Sequence, residues 1–103
     1  MPVMLVKFDE PISDVDGATY FAQAMGRKRD DGLWEGWLEF TQMSEDAPSY
    51  TSGRETTQPN RADLDYWAQG LSQVYLQGAL ARARILTETS REASSERERS
   101  RGA

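Results

Sequence analysis

Alternating apolar and polar positions in the first half of the chain predict a small antiparallel sheet. The predicted strands cover residues 3–8, 19–27, 33–41 and 50–57. The second and third form a hairpin, because Arg29-Asp30-Asp31-Gly32 is typical of a tight turn in which glycine accepts positive φ. Gly53 is expected to form a bulge or bend in the last strand. The turn-forming residues at 9–17 predict a loop after the first strand.

The strand at 33–41 has two distinct faces. Alternation places four residues on the core side: Trp34, Gly36, Leu38 and Phe40. Because Gly36 has no side chain, a neighbouring aromatic ring is expected to fill the space above it. Trp37 lies on the opposite face with Glu35 and Glu39. We therefore expect Trp37 either to be covered by the C-terminal helices or to be exposed for a partner.

After Pro59 the hydrophobic pattern changes to a helical period and predicts two helices. Asn60 is a strong N-cap for the first, and Gly70 is well placed as its C′ residue. Ser72 is expected to cap the second helix, which we place at residues 73 to about 86. The two helices would therefore meet at a sharp corner and form a hairpin.

The second helix is apolar on two sides. A broad arc is expected to face the sheet, and it comprises Tyr75, Leu76, Ala79, Leu80, Ala83 and Leu86. A narrower second stripe comprises Val74, Gly78, Ala81 and Ile85. A helix that covers one sheet needs only one apolar side, so the second stripe predicts a partner-binding surface. Gly78 and Ala81 are small enough to let another helix approach closely.

These elements predict the α+β class. The expected architecture is a small antiparallel four-stranded sheet or partial barrel covered by a C-terminal two-helix hairpin. The 103 residues fit one domain, which we place at 1–89. The tail at 90–103 consists mainly of Ser, Arg and Glu and carries no apolar period, so it is predicted to be disordered, with a frayed extension of the second helix as the alternative.

The composition excludes several kinds of chemistry. The chain has no cysteine and no histidine, which removes disulfides, Cys/His zinc sites and every Ser-His or Cys-His relay. The turn Asp14-Val15-Asp16-Gly17 lacks both end ligands of a calcium loop. Glu35 and Glu39 lie about 13 Å apart along a strand, farther than a glycosidase pair requires, while a Glu39–Glu55 pair stays open. We expect no catalytic activity, no cofactor and no metal.

The formal net charge of −5 bears on the possible partners. Most of the excess acid lies before residue 60, which argues against general binding of a phosphate backbone. The chain has neither an apolar run of membrane-spanning length nor the pattern of a signal peptide, so a cytoplasmic protein is expected.

Two short segments nevertheless suggest an anion site. Arg54, Thr56, Thr57 and Arg61 lie beside a predicted helix N-terminus, although Asp63 and Asp65 compete for that positive end. The hairpin tip Arg27-Lys28-Arg29 lies near aromatic residues, a combination that can bind single-stranded nucleic acid. The alternative function is therefore nucleic-acid or small-anion binding through these two segments.

The chain also resembles a group of short, uncharacterised bacterial proteins. The resemblance rests on the segments W-E-G-W, R-E-T-T-Q-P-N-R, Y-W-A and Y-L-x-G-A-L, which fall within residues 30–83. It implies a bacterial source and transfers no activity.

Together these features favour a protein–protein interaction module, an adaptor or a subunit of a complex, without catalytic activity. The expected binding residues are Trp37, Val74, Gly78, Ala81 and Ile85. The partner is expected to be another protein or a second copy of this chain, nucleic acid is less favoured, and no membrane is expected.

Overall fold

The computed structural model describes residues 1–43 and 49–101, with side chains described up to residue 87 apart from the gap at 44–48. The elements are β1 Val3–Lys7, β2 Ile12–Ser13, β3 Thr19–Lys28, β4 Trp34–Gln42, β5 Ser49–Thr51, β6 Thr56–Gln58, α1 Arg61–Gln69 and α2 Gln73–Arg101.

The sheet is antiparallel and open, and the chain belongs to the α+β class as predicted. The long hairpin β3–β4 forms its centre. The strands β1 and β2 pair with the outer edge of β3, and β5 and β6 pair with the outer edge of β4. Within the described residues the sheet therefore has six strands rather than four.

The two additional strands arise from local features. The predicted loop at 9–17 contains β2, in which Ile12 is buried and pairs with Tyr20. The predicted strand at 50–57 is divided at Ser52. The hydroxyl of Ser52 accepts a hydrogen bond from the N–H of Leu38 at 2.9 Å and donates one to the carbonyl of Gly53 at 2.8 Å. The hydroxyl therefore replaces one backbone acceptor of the ladder, while the N–H of Ser52 still donates to the carbonyl of Leu38 at 2.8 Å, and β6 begins as a separate strand at Thr56.

Both helices pack on one face of the sheet, and the core lies between the two layers. Alternation along β4 is confirmed: Gly36, Leu38 and Phe40 are buried, whereas the residues between them are half-buried. The ring of Trp67 and the side chain of Leu64 lie above Gly36, and this confirms that an aromatic residue fills the space. The core residues of the helices are Leu64, Ala68, Leu76, Ala79, Leu80 and Ala83.

The predicted caps of both helices are confirmed. The Asn60 side chain accepts a hydrogen bond from the N–H of Asp63 at 2.8 Å, and the Ser72 hydroxyl accepts one from the N–H of Tyr75 at 3.2 Å. Gly70 ends α1 with a φ of −90°, and does not adopt the left-handed conformation that a C′ glycine often takes.

The second helix is longer than predicted and continues past Leu86 to Arg101. Ala83 is its last buried residue in the part of the chain whose side chains are described. Leu86 is 53% exposed, so the prediction that it faces the sheet is wrong. The predicted tail at 90–103 falls outside the described side chains, and its disorder stays a prediction. Among the described helices, none is both long and apolar enough to span a membrane.

Candidate interaction surfaces

The second apolar stripe of α2 lies on the side of the helix that faces away from the sheet. We call Val74, Gly78, Ala81 and Ile85 the outer face of α2. Val74 is 78% exposed and Ile85 is 63% exposed. Ala81 is also exposed, and Gly78 is half-buried. The opposite side of α2 is buried in the core. The same helix therefore has a core side and an exposed apolar side.

Two polar links hold α2 in this orientation. Glu55, just before β6, accepts a hydrogen bond from the hydroxyl of Tyr75 at 2.8 Å and is paired with Arg82. The side chain of Glu55 is only 10% exposed, so these partners compensate its loss of hydration. Because Tyr75 and Arg82 of the helix bind Glu55, this carboxylate is not free to act with Glu39 as the pair of catalytic carboxylates that the sequence left open.

The second link joins α2 to the turn between β2 and β3. Arg84 binds Asp14 at 2.9 Å and Asp16 at 3.0 Å. Its hydrogen bond to Asp16 is the main cause that raises the pKa of Arg84, which therefore stays charged. The carboxylate of Asp14 also accepts hydrogen bonds from the N–H groups of Asp16 and Ala18. Its oxygen atoms are therefore bonded both within the turn and to α2.

The same links alter the ionisation of Tyr75. Burial is the largest cause that raises the pKa of its hydroxyl, and the hydrogen bond to Glu55 is the next. Tyr75 thus remains protonated and continues to donate to Glu55 well into the alkaline range.

Trp37 lies on the face of the sheet that the helices do not cover, so the expectation that they cover it is wrong. It is half-buried and lines a shallow cavity of about 310 Å³. The other residues of this cavity are Pro2, Arg27, Glu35, Thr51, Ser52 and Arg54. The structure therefore places Trp37 beside Arg54, although the sequence analysis assigned these two residues to different sites.

The four residues of the predicted anion site do not form one pocket. Arg61 is paired with Asp65 at 3.2 Å, and its guanidinium lies 5.5 Å from the centre of the Trp34 ring. The methyl group of Thr56 lies under α1, next to Gly36. Thr57 is exposed, since it lies on the opposite face of β6 from Thr56. Arg54 turns instead toward the hairpin tip.

Arg54 and the hairpin tip share a second, larger cavity of about 750 Å³. It is lined by Met1, Arg27, Lys28, Arg29, Asp30, Asp31, Glu35 and Arg54. Arg27 is bonded to Glu35, and Arg29 is paired with Asp31 at 2.9 Å. Lys28 and Arg54 make no ion pair with any described residue. These two cations are therefore available to an anion.

Val15 is a surface residue that the sequence analysis did not single out. It is 95% exposed in the turn between β2 and β3. With Gln77 and Ala81 of α2 it lines a groove of about 230 Å³. The turn-forming residues around Val15 indicated that its side chain is exposed. Its position beside α2 could not be predicted, because it depends on the ion pair between Arg84 and Asp14, which are distant in sequence.

Searches against protein-family models, curated proteins and solved structures find no match for this chain. The resemblance to short bacterial proteins consequently stays a prediction from the sequence.

Proposed function

We propose that the protein is a small protein–protein interaction module without catalytic activity that binds its partner through the outer face of α2. The observation that supports this is the exposure of Val74 and Ile85 on a helix whose other side is the core. The proposal retains the cytoplasmic, bacterial setting expected from the sequence.

Energetic considerations favour a binding role for this face. Full burial of a valine or isoleucine side chain contributes about 1.5–3 kcal/mol. The folded chain does not obtain this contribution from Val74 and Ile85, because both remain largely exposed. A partner that covers them gains it. Between them, Gly78 has no side chain, and the Nη1 atom of Arg82 lies close above it.

The double substitution Ala81→Arg with Ile85→Glu tests the proposal. Both positions are exposed, so we expect an unchanged circular dichroism spectrum and an unchanged core, with loss of assembly because charges replace the apolar contact. The matched control is Gln69→Arg with Tyr66→Glu, which introduces the same charges at exposed positions of α1. Native mass spectrometry and capture of partners by tagged protein provide the readouts. If the α2 variant keeps the native mass and the partners of the wild type, the proposal is wrong.

The second candidate function is binding of a small anion or a short single-stranded nucleic acid. The observation in its favour is the unpaired Arg54 between Trp37 and the hairpin tip. An aromatic ring beside a cation suits a ligand that carries both a planar ring and a phosphate. The cavity at Trp37 is near the lower limit of the roughly 300–1,000 Å³ typical of ligand pockets, so a ligand of nucleotide size fits better than a long polymer.

Titration of tryptophan fluorescence with adenosine monophosphate and with a short oligothymidylate at low salt tests this candidate. Binding should weaken as salt is raised, and Arg54→Gln should weaken it at least several-fold. Arg61→Gln is the matched control, because Arg61 is paired with Asp65 and stacked on Trp34. A flat titration with both ligands at low salt would remove the candidate.

A further inference from the structure

We infer that the two cavities beside Arg54 form one binding site for a nucleoside diphosphate or triphosphate. The planar base would lie against Trp37, and the phosphates would extend from Arg54 to Lys28. The inference rests on the second candidate function, and it specifies the chemical class of the ligand. It is independent of the partner proposed for the outer face of α2.

The two cavities adjoin, because three residues line both of them: Arg27, Glu35 and Arg54. The smaller cavity, of about 310 Å³, contains the half-buried Trp37 and the hydroxyl-bearing residues Thr51 and Ser52. The larger cavity, of about 750 Å³, is lined by charged residues apart from Met1, and none of the described residues that line it is aromatic. One end of this surface therefore suits a planar base, which stacks on an aromatic ring, and the other suits a charged group.

Two cations of the larger cavity are uncompensated. Arg29 is paired with Asp31 at 2.9 Å, whereas Arg54 and Lys28 take part in no ion pair within the described part of the chain. Arg54 lies where the cavities meet, and Lys28 lines only the larger one. The first phosphate of a ligand would therefore lie at Arg54, and any later phosphate would lie nearer Lys28.

Arg27 supplies a further donor at the place where the cavities meet. Its Nε atom donates to the Oε1 atom of Glu35 at 3.1 Å, and its Nη2 atom donates to the same oxygen. Its Nη1 atom makes no hydrogen bond to any described residue, and the side chain is 55% exposed. Glu35 thus fixes the guanidinium and leaves one NH₂ group for a phosphate oxygen, an acceptor that guanidinium groups bind well.

The distance along the hairpin favours more than one phosphate. Trp37 pairs with Met25 across β3 and β4, and Lys28 follows Met25 by three residues. Three residues of a strand span about 10 Å. A nucleoside monophosphate has a single phosphate, bonded to its sugar, which would lie near Arg54. The second and third phosphates extend farther and would approach Lys28, whose long side chain is flexible.

Asp30 is the carboxylate that opposes an anion in this cavity. Unlike Asp31 and Glu35, it takes part in no ion pair with a described residue. The residues that line the larger cavity nevertheless include four cations and three carboxylates, an excess of one positive charge in a chain whose net charge is −5. Removal of the Asp30 charge should therefore strengthen phosphate binding, and removal of the Lys28 charge should weaken it.

Isothermal titration calorimetry at low salt and without divalent cations tests the inference. The probes are adenosine monophosphate, adenosine diphosphate, adenosine triphosphate and inorganic triphosphate. We expect the diphosphate and triphosphate of adenosine to bind at least about tenfold more tightly than the monophosphate, because a charged hydrogen bond to Lys28 is added. Inorganic triphosphate should bind more weakly than adenosine triphosphate, because it has no base to stack on Trp37.

Variants at the phosphate end locate the site. Lys28→Gln should reduce the affinity for adenosine diphosphate more than the affinity for the monophosphate, whereas Arg54→Gln should weaken both. Asp30→Asn should strengthen the binding of the diphosphate. Lys7→Gln is the matched control, because it removes the same charge from an exposed position of β1 outside both cavities.

Variants at the ring end test the stacking of the base. Trp37→Leu should lower the affinity for adenosine triphosphate toward that for inorganic triphosphate. Trp37→Phe keeps a ring and should retain the preference for the nucleotide. Circular dichroism of both variants verifies that the sheet is intact.

Three results would overturn the inference and leave the second candidate function unaffected. Equal affinities for the three adenosine phosphates would show that only one phosphate is bound. Inorganic triphosphate that binds as tightly as adenosine triphosphate would show that the base takes no part. Equal losses in Lys28→Gln and Lys7→Gln would reflect net charge and not a site at the hairpin tip. Failure of every probe to bind, together with a flat titration with oligothymidylate, would remove the second candidate function as well.

Discussion

At the scale of single residues, two glycines allow α1 to pack closely on the sheet: Gly26 of β3 and Gly36 of β4. A Cβ atom added at Gly36 would stand 2.8 Å from the Cζ3 atom of Trp67 and 2.9 Å from the Cδ1 atom of Leu64. Real Cβ atoms do not approach other heavy atoms this closely, and a packed core yields little. Gly36 therefore limits the distance between the sheet and the first helix, together with Gly26, whose added Cβ atom would also meet Leu64.

Gly36→Ala should consequently lower the free energy of unfolding by about 1–3 kcal/mol, the usual cost of overpacking. Urea denaturation followed by circular dichroism measures the change. Gly53→Ala is the control, because a Cβ atom at Gly53 has open space within 4 Å. Equal stability of the two variants would show that α1 moves away from the sheet at little cost.

The comparison of Asn60 with Gly36 shows which residue-level features a sequence reveals. The cap at Asn60 depends on a residue three positions away, so local pattern was sufficient to predict it. The space above Gly36 was also predicted, but not which ring fills it, because Trp67 reaches it through tertiary packing. The division of the predicted strand 50–57 at Ser52 was not predicted for the same reason, because the Ser52 hydroxyl binds the backbone of another strand.

At the scale of elements, periodicity predicted the faces of β4 and most of the buried side of α2. It was wrong for Leu86, because a helical period continues whether or not a sheet lies beneath it. The polar contacts that fix α2 on the sheet could not be derived from periodicity either. Tyr75 and Arg82 meet Glu55 only after the chain has folded.

The link between Tyr75 and Glu55 predicts a loss of stability at high pH. The unfolded chain releases the Tyr75 proton near pH 10, whereas burial and the bond to Glu55 raise the pKa in the folded state. The contribution of Tyr75 is therefore complete below about pH 10 and is lost as the pH rises toward the folded-state pKa. Tyr75→Phe has no such proton, so its stability should fall less between about pH 8 and about pH 11.

Urea unfolding at the two pH values measures this difference. Tyr66→Phe is the matched control, because Tyr66 is 82% exposed and should retain the alkaline loss of the wild type. Tyr20, whose pKa is also raised mainly by burial, contributes equally to all three proteins. The same alkaline loss in Tyr75→Phe and in the wild type would contradict the role assigned to the Glu55 link.

At the scale of the whole molecule, the fold separates two candidate surfaces. The outer face of α2 lies on the helical layer, and the cavity of Trp37 and Arg54 lies on the uncovered face of the sheet. Helical periodicity was sufficient to predict that Val74, Ala81 and Ile85 lie on one exposed side of α2, whereas the position of Val15 beside it was not predicted. The binding of a partner there stays a prediction. The sequence did not predict the second surface, because strand pairing brings Arg54 to Trp37 and separates it from Arg61.

Self-association through the outer face of α2, one of the two kinds of partner expected from the sequence, would make the melting temperature depend on protein concentration. A partner that binds only the folded chain stabilises it by mass action, by about 2.7 kcal/mol at a hundredfold excess over Kd. For a chain of this length, the wild type should therefore melt several degrees higher at about 1 mM than at about 10 µM. Ala81→Arg with Ile85→Glu should melt at the same temperature at both concentrations.

A core variant separates this effect from ordinary stability. Leu80→Ala, on the buried side of α2, should cost about 2–5 kcal/mol and lower the melting temperature at every concentration. It should nevertheless keep the dependence on concentration, because the outer face is intact. Calorimetry on the wild type, the outer-face variant and Leu80→Ala thus distinguishes self-association through the outer face of α2 from stabilisation of the fold by its buried side. A concentration dependence that persists in the outer-face variant would move self-association to another surface, and its absence in the wild type would exclude self-association.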